Sequence, residues 1–404
     1  MFDICALNDD DLPAVRRVDD WAFGQAMSDT RWAAASDLLE RDRQIGAFDG
    51  ATLVGHAAAF THVLTTPGGS VPSAGVTWVG VAPTHRRRGA LTALMRHQIA
   101  ALADSGEPVA ALWASEPGIY GRFGYGVASR KAVVTVPRPV HSAAPTTTGM
   151  TVVLSDVGDG LAGCVEVYDR VRPNRPGMVS RSAKAWFEAS LDEPDSRGGA
   201  SPLRCARAVD DDGLTQGYSW FRTRPDWSSA SPEGTVTVTE MLAASPEAAR
   251  ALQDVVFDLD LMTSTEVWNL PLDDPLLMWG HSRRLRPAID EQLWVRLVRL
   301  EEALVARRYC APVDLVLEVR DDLIGDNAGR WRLAADETGA VVSRTAAPAD
   351  VTVDVDDLAG GYLGDDHLHR AITAGRTSER TPGAAVRLAR ALRGDRAPWC
   401  AFMF

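Results

Sequence analysis

The sequence predicts a multidomain protein of mixed α/β and α+β class, and three observations carry that expectation. Its 404 residues exceed what one ordinary hydrophobic core organises, so two or three domains are expected. Residues 76–102 read as strand, basic turn and amphipathic helix, the repeating unit of α/β layers. A stretch rich in Pro, Ala and Thr at 137–149 then interrupts the pattern and reads as a linker.

Helical periodicity covers 14–23 and 29–39, with Trp21, Phe23 and Trp32 as large apolar anchors. Strands at 44–48 and 53–62 follow, the second leading to the turn-forming loop Pro67, Gly68, Gly69 and Ser70. Val76, Trp78, Val79 and Val81 suit a strand, which must stop at Pro83 because proline cannot continue a ladder. Beyond His85, Arg86, Arg87, Arg88 and Gly89, the residues Leu91, Leu94, Met95, Ile99 and Leu102 form one helical stripe. The basic turn therefore sits at a helix N-terminus. Unpaired N–H groups and a partial positive charge there suit a phosphate or pyrophosphate, and Gly89 permits close approach. The chain has only two lysines, Lys131 and Lys184, so three adjacent arginines partly reflect composition. A second strand covers 109–115, and the first domain closes near Val136.

The pattern V-x-V-x-P-x-x-R-R-R-G starting at Val79, followed by Y-G-R-F-G-Y-G from Tyr120 to Gly126, resembles the acyl-CoA site of the GNAT N-acetyltransferases. More particularly it is similar to the Eis (enhanced intracellular survival) family. The resemblance implies acetyl-CoA as cosubstrate, lying where two parallel strands, 77–81 and 110–115, splay apart. Backbone groups of Val79 and Val81, with Gly80 between them, would then bind the pantetheine arm. Arg87, Arg88, Gly89, Ala90, Leu91 and Thr92 would hold the pyrophosphate, and Ser115 and Glu116 would line the far side. Leu91 replaces the small residue usual in this turn.

Residues 234–252 can be laid on the first strand, turn and helix. In that register Arg86, Arg87, Arg88 and Gly89 become Glu247, Ala248, Ala249 and Arg250, so the positive turn is lost and Glu247 would repel a pyrophosphate. After Pro287 a helix is expected over 290–307, with Leu293, Trp294, Leu297, Leu300, Leu304 and Val305 on one face. Strands at 315–319, 331–333 and 351–355 and helices at 356–363 and 381–392 complete an α+β tail resembling the sterol-carrier-like domain that ends Eis proteins. The expected architecture is thus two tandem GNAT (acyl-CoA N-acyltransferase) domains and a sterol-carrier-like domain: 1–140 catalytic, 150–287 without a cofactor site, 288–404 terminal. His367 and His369, two apart, are expected as exposed loop histidines, and no metal site is expected.

Amide formation from a thioester requires an amine to lose a proton and a thiolate to gain one. Tyr120 matches the tyrosine that GNAT enzymes place beside the CoA sulfur; a phenol with pKa near about 10 can protonate a thiolate whose conjugate acid lies near about 8.5. Tyr125 is expected to pack in the core. No histidine falls at a motif position except His85, in the phosphate turn. The C-terminal run Ala397 to Phe404 is strongly apolar, which implies burial, and burial raises a carboxylate from about 3.5 toward a useful basicity. Resemblance to Eis makes the Phe404 carboxylate the general base. Trp32, Trp78 and Phe402 are expected to floor the acceptor site.

A net charge of -12 argues against general nucleic-acid binding and favours a cationic amine such as an aminoglycoside or polyamine, or a lysine. Relatives that acetylate aminoglycosides carry acidic residues where this chain has Gln25 and Met403, which weakens that expectation. The N-terminal residues lack a signal-peptide pattern and no run reaches the roughly 18 apolar residues of a membrane span. Five cysteines, odd in number and without C-x-x-C, read as cytoplasmic thiols. The resemblance implies a homo-oligomer, a hexamer. The alternative reading is a non-catalytic acyl-CoA or lipid carrier.

Overall fold

The computed structural model describes residues 2–138, 149–280 and 282–404; most of the expected linker, 139–148, lies outside the described residues. The first region contributes strands β1 (Asp3–Ala6), β2 (Gln44–Asp49), β3 (Thr52–Thr66), β4 (Gly69–Val81) and β5 (Val109–Trp113), in that spatial order. Helices α1 (Leu12–Phe23) and α2 (Asp29–Leu38) cover one face, and α3 (Ala90–Ser105) covers the other. Glycines mark the close approaches: a Cβ on Gly80 would meet Ala22 of α1 at 3.1 Å, and one on Gly55 would meet Leu94 of α3 at 3.1 Å. The stripe expected on α3 is its buried face, with Leu94, Met95, Ile99 and Leu102 in the core.

The sheet is completed by residues distant in sequence. Leu293–Leu297 pairs antiparallel along β5 (Leu293 opposite Trp113), and Gly126–Val127 pairs with its outer edge. A helix over 290–307 is therefore not what forms. Ala288–Glu291 and Leu293–Leu297 are strands, and only Leu300–Val305 is helical. The reason is burial on both sides: all of Leu293–Leu297 is buried, as in a central strand, so apolar residues on both faces imitate a helical spacing.

The second sheet has the order Ala288–Glu291, Arg130–Pro137, Met262–Leu270, Gly234–Ala243, Thr215–Arg224, Arg204–Asp210 and Met150–Asp156. Gly234–Ala243 runs parallel to Met262–Leu270, with the helix Pro246–Val256 between them. That helix starts on a Ser245 cap, with Ala248 and Ala249 buried beneath it. The third region is α+β: five strands, Gly339–Arg344, Gly329–Asp336, Val313–Arg320, Val351–Asp354 and Ser378–Glu379, backed by helices that include Val355–Gly361 and Ala384–Ala391. His367 departs from expectation. It opens the helix His367–Thr373 half-buried, 3.2 Å from Asp357, whereas His369 on the same helix is exposed. No described helix is long and apolar enough to cross a membrane.

Candidate active site

β4 and β5 pair in parallel from Ser73/Val109 to Gly75/Ala111, and there the pairing stops. The remainder of β4 keeps only its β3 partner while β5 keeps only Leu293–Leu297, so a wedge opens between them. Along that free edge the β3–β4 register shifts: Thr77 lies opposite Ala58 and Gly80 opposite His56. The extra residues form a bulge in which Trp78 takes a left-handed φ of 55°, a costly conformation for a bulky side chain.

The wedge leads into a cavity of about 750 Å³ lined by Val79, Gly80, Val81, Arg87, Gly89, Ala90, Leu91, Thr92, Ser115, Glu116 and Tyr120. Gly89 holds φ 94° as the residue before α3, and no side chain caps the helix, so its first N–H groups point into the site unclaimed. Of the predicted pyrophosphate ligands Arg88 is the exception. It turns aside to Asp49 at 3.2 Å and over the Phe2 ring at 5.5 Å, while Arg87, at φ 60°, lines the cavity. Arg86 also lines it, anchored by donation to the Ala22 carbonyl at 2.9 Å. Sequence reasoning passed over Arg122, which faces the same space. Its place inside Y-G-R-F-G-Y-G was the available signal.

Tyr120 is 5% exposed. Its carbonyl accepts from the Phe123 N–H at 2.9 Å, and Gly124, at φ 78°, closes the loop. A Cβ on Gly124 would lie 2.8 Å from Arg296, whose guanidinium forms a fully buried 2.7 Å pair with Asp321 of the third region. Burial, then the nearby Glu116, pushes the Tyr120 phenol up to about 12, so it stays protonated. Tyr125, fully buried, is pushed up further by burial, and its hydroxyl has no hydrogen-bond partner among the described residues.

The C-terminal run is buried by a polar clamp. Trp399 donates to Asn269 at 2.9 Å, Asn269 to the Cys400 carbonyl at 3.1 Å, and Ser129 to Gln292 at 2.8 Å. Beyond it Phe402 is buried, Met403 is 59% exposed, and Phe404 turns in again. The Phe404 ring lies 6.1 Å from Phe402 and 4.9 Å from His62, and one of its carbons sits 3.1 Å from where a Gly75 Cβ would be. Phe402 covers the Arg181 guanidinium at 4.6 Å. Trp32 meets Trp78 edge-on at 5.8 Å, and Trp78 shares an apolar cluster with Phe404, so the predicted aromatic floor is one connected group. Gln25 lies in the exposed segment between α1 and α2.

Tyr120 clusters with Ala74 and Val76, whereas Phe404 covers Gly75. Adjacent residues of a strand face opposite sides, so Phe404 lies on the Gly75 face of β4 and the cluster that holds Tyr120 lies on the other.

An acetyltransferase (GNAT) domain family matches residues 3–128, a second GNAT domain family matches 177–300, and a sterol carrier protein domain family matches 300–401. The chain is 33% identical over 386 residues to N-acetyltransferase Eis of Mycobacterium tuberculosis, covering 92% of this chain and 90% of that protein. The chain belongs to the Eis-like GNAT N-acetyltransferases. An uncharacterized N-acetyltransferase of Streptomyces avermitilis is 43% identical over 400 residues, 95% of this chain and 97% of that one. The crystal structure of Eis1 from Mycobacterium abscessus superposes with a TM-score of 0.84 at 33% identity, each chain covered completely. The Eis-like architecture, two GNAT domains and a sterol-carrier domain, is thus the one found here, and the GNAT fold takes an acyl-CoA cosubstrate.

Proposed function

We propose that this Eis-like enzyme transfers the acetyl group of acetyl-CoA to a primary amine of a cationic small molecule, aminoglycoside-like or polyamine, or of lysine. The observations that support this reading are Tyr120 in the wall of the cavity at the wedge and Phe404 packed over Gly75, the last β4 residue paired with β5. The Phe404 carboxylate takes a proton from the acceptor ammonium. The freed nitrogen attacks the thioester carbon, the C–S bond breaks, and Tyr120 protonates the departing sulfur. Arg87 and the uncapped start of α3 favour the pyrophosphate of the cosubstrate. Trp32 and Trp78 offer ring faces to the acceptor's cationic groups. Likeness to the Eis family further suggests a homohexamer in the cytoplasm, which mass measurement of the purified protein tests.

The reading is tested by free-thiol release from acetyl-CoA across a panel of aminoglycosides, polyamines and lysine peptides. Release that requires both an amine and Tyr120 is expected. Binding of CoA thioesters with no release for any amine would instead favour an acyl-CoA or lipid carrier.

A further inference from the structure

His62 lies on β3, on the face that receives the C-terminal tail, and is 7% exposed. Its Nε2 has no hydrogen-bond partner among the described residues. Directly opposite in the sheet register is Ser73, fully buried, whose hydroxyl is also without a partner. Buried polar atoms left unpaired on two facing residues are uncommon in a folded protein and mark a place where a third polar group is received. The imidazole fills the space that Gly75 leaves, with Nε2 2.9 Å from the position of an absent Cβ, and Phe404 closes the same space at 3.1 Å. Gly75 is the last residue of β4 paired with β5. The free nitrogen is therefore at the root of the wedge, beside the last residue of the chain.

The Ser180 backbone favours the protonated form of the ring. Burial nevertheless lowers His62 to about 4, so the resting imidazole is neutral. The charged groups that face it are Glu40, which favours its cation, and Arg43, which opposes it; the Arg181–Glu240 pair lies behind Phe402.

We propose that His62 is a proton-relay residue of the acceptor site, taking from the Phe404 carboxylate the proton that the acceptor ammonium gives up. The inference rests on the acetyltransferase reading above. An ammonium that becomes a secondary amide sheds two protons. One replaces the proton Tyr120 gives to the CoA sulfur; the other passes transiently through His62 Nε2 to solvent as product leaves. A neutral imidazole behind the carboxylate lets the carboxylate return to its basic form before the second proton arrives.

The experiment compares wild type, His62→Gln and His62→Phe, using acetyl-CoA and the amine that gives the fastest thiol release, from pH 7 to 10. At pH 7 His62→Gln is expected to lose about 10- to 100-fold in kcat, with KM for acetyl-CoA unchanged. The deficit should shrink toward pH 10, where the acceptor arrives already neutral; a packing lesion would depress the rate equally throughout. His62→Phe keeps the ring volume and should show the same profile if Gln disturbs folding. Wild-type turnover matched by both variants, or a deficit constant with pH, overturns the relay alone. No amine-dependent release by wild type overturns the acetyltransferase reading and the relay with it.

Discussion

Gln292 grips Cys400 by both main-chain groups: its Nε2 donates to the Cys400 carbonyl at 3.0 Å and its Oε1 accepts from the Cys400 N–H at 2.9 Å. The amide reproduces one rung of a sheet ladder, four residues before the chain's last position. Replacing Gln292 by Ala leaves the Cys400 N–H and the Ser129 hydroxyl without their acceptor in a buried site, and takes one of two donors from both the Cys400 carbonyl and the Asn269 Oδ1. A loss of about 2–4 kcal/mol is expected from denaturant unfolding. The released tail should also lower kcat more than Gln292's distance from the wedge would suggest.

Tyr120→Phe should lower kcat by about 100-fold or more while leaving acetyl-CoA binding intact, because it removes only the proton donor. Tyr125→Phe is the control. Its hydroxyl is buried without a partner, so its removal should cost little or stabilise the fold by up to about 1 kcal/mol. Steady-state kinetics beside thermal melts separate the two.

Arg87 and Arg88 are neighbours in the same motif yet differ in direction. Arg87→Ala should raise the KM for acetyl-CoA by about 10-fold, equivalent to about 1.4 kcal/mol. Arg88→Ala breaks an exposed contact to Asp49 and one over the Phe2 ring, both away from the cavity, and should change KM less than 3-fold, as an exposed ion pair is worth about 0–1 kcal/mol. Equal effects would mean that Arg88 swings into the site when cofactor binds.

Asp321→Ala leaves the Arg296 guanidinium buried and without its carboxylate. A destabilisation of about 3–5 kcal/mol is expected by calorimetry. Because Arg296 backs Gly124, the Tyr120 loop should loosen with it, and kcat should fall even at temperatures where the variant stays folded.

His56, 2% exposed with Nε2 unpartnered, is lowered by burial from 6.5 to about 4. Below pH 6.5 the unfolded chain takes up a proton that the native state refuses, so His56 stabilises fully above 6.5 and loses that contribution as pH falls toward 4. Between pH 8 and pH 5 the loss is about 2 kcal/mol. His56→Phe should therefore gain on wild type at pH 5 relative to pH 8, measured by urea unfolding at both. Asp19, raised by burial and then Asp20 to about 6, works in the opposite direction within the same window, which is why the variant rather than the total slope is diagnostic.

What was legible in the sequence was local. The strand, basic turn and α3 announce themselves because apolar spacing, Pro83 and Gly89 all lie within one short stretch, and Tyr120 follows inside a distinctive motif. The helix expected over 290–307 failed because Leu293–Leu297 is buried on both faces by partners nearly two hundred residues earlier, information that no window around it contains. Arg88 was misdirected for a similar reason, since Asp49 and Phe2 claim it from other strands. His62 was invisible as chemistry: nothing near it in sequence is unusual, and its setting arises only when Gly75, Ser73 and Phe404 converge on it.

The exchange of strands between the two larger sheets also bears on how the chain reaches its native state. Residues Arg130–Pro137 leave the first region to join the second sheet, and Leu293–Leu297 returns to flank β5. On the ribosome, β5 must wait with one edge bare until residue 297 has emerged, and a fragment cut at the linker would expose that edge permanently. The acyl-CoA wedge is thus complete only when nearly three-quarters of the chain has been synthesised, and by the mechanism proposed above the nascent enzyme stays silent longer still, until Phe404 is in place.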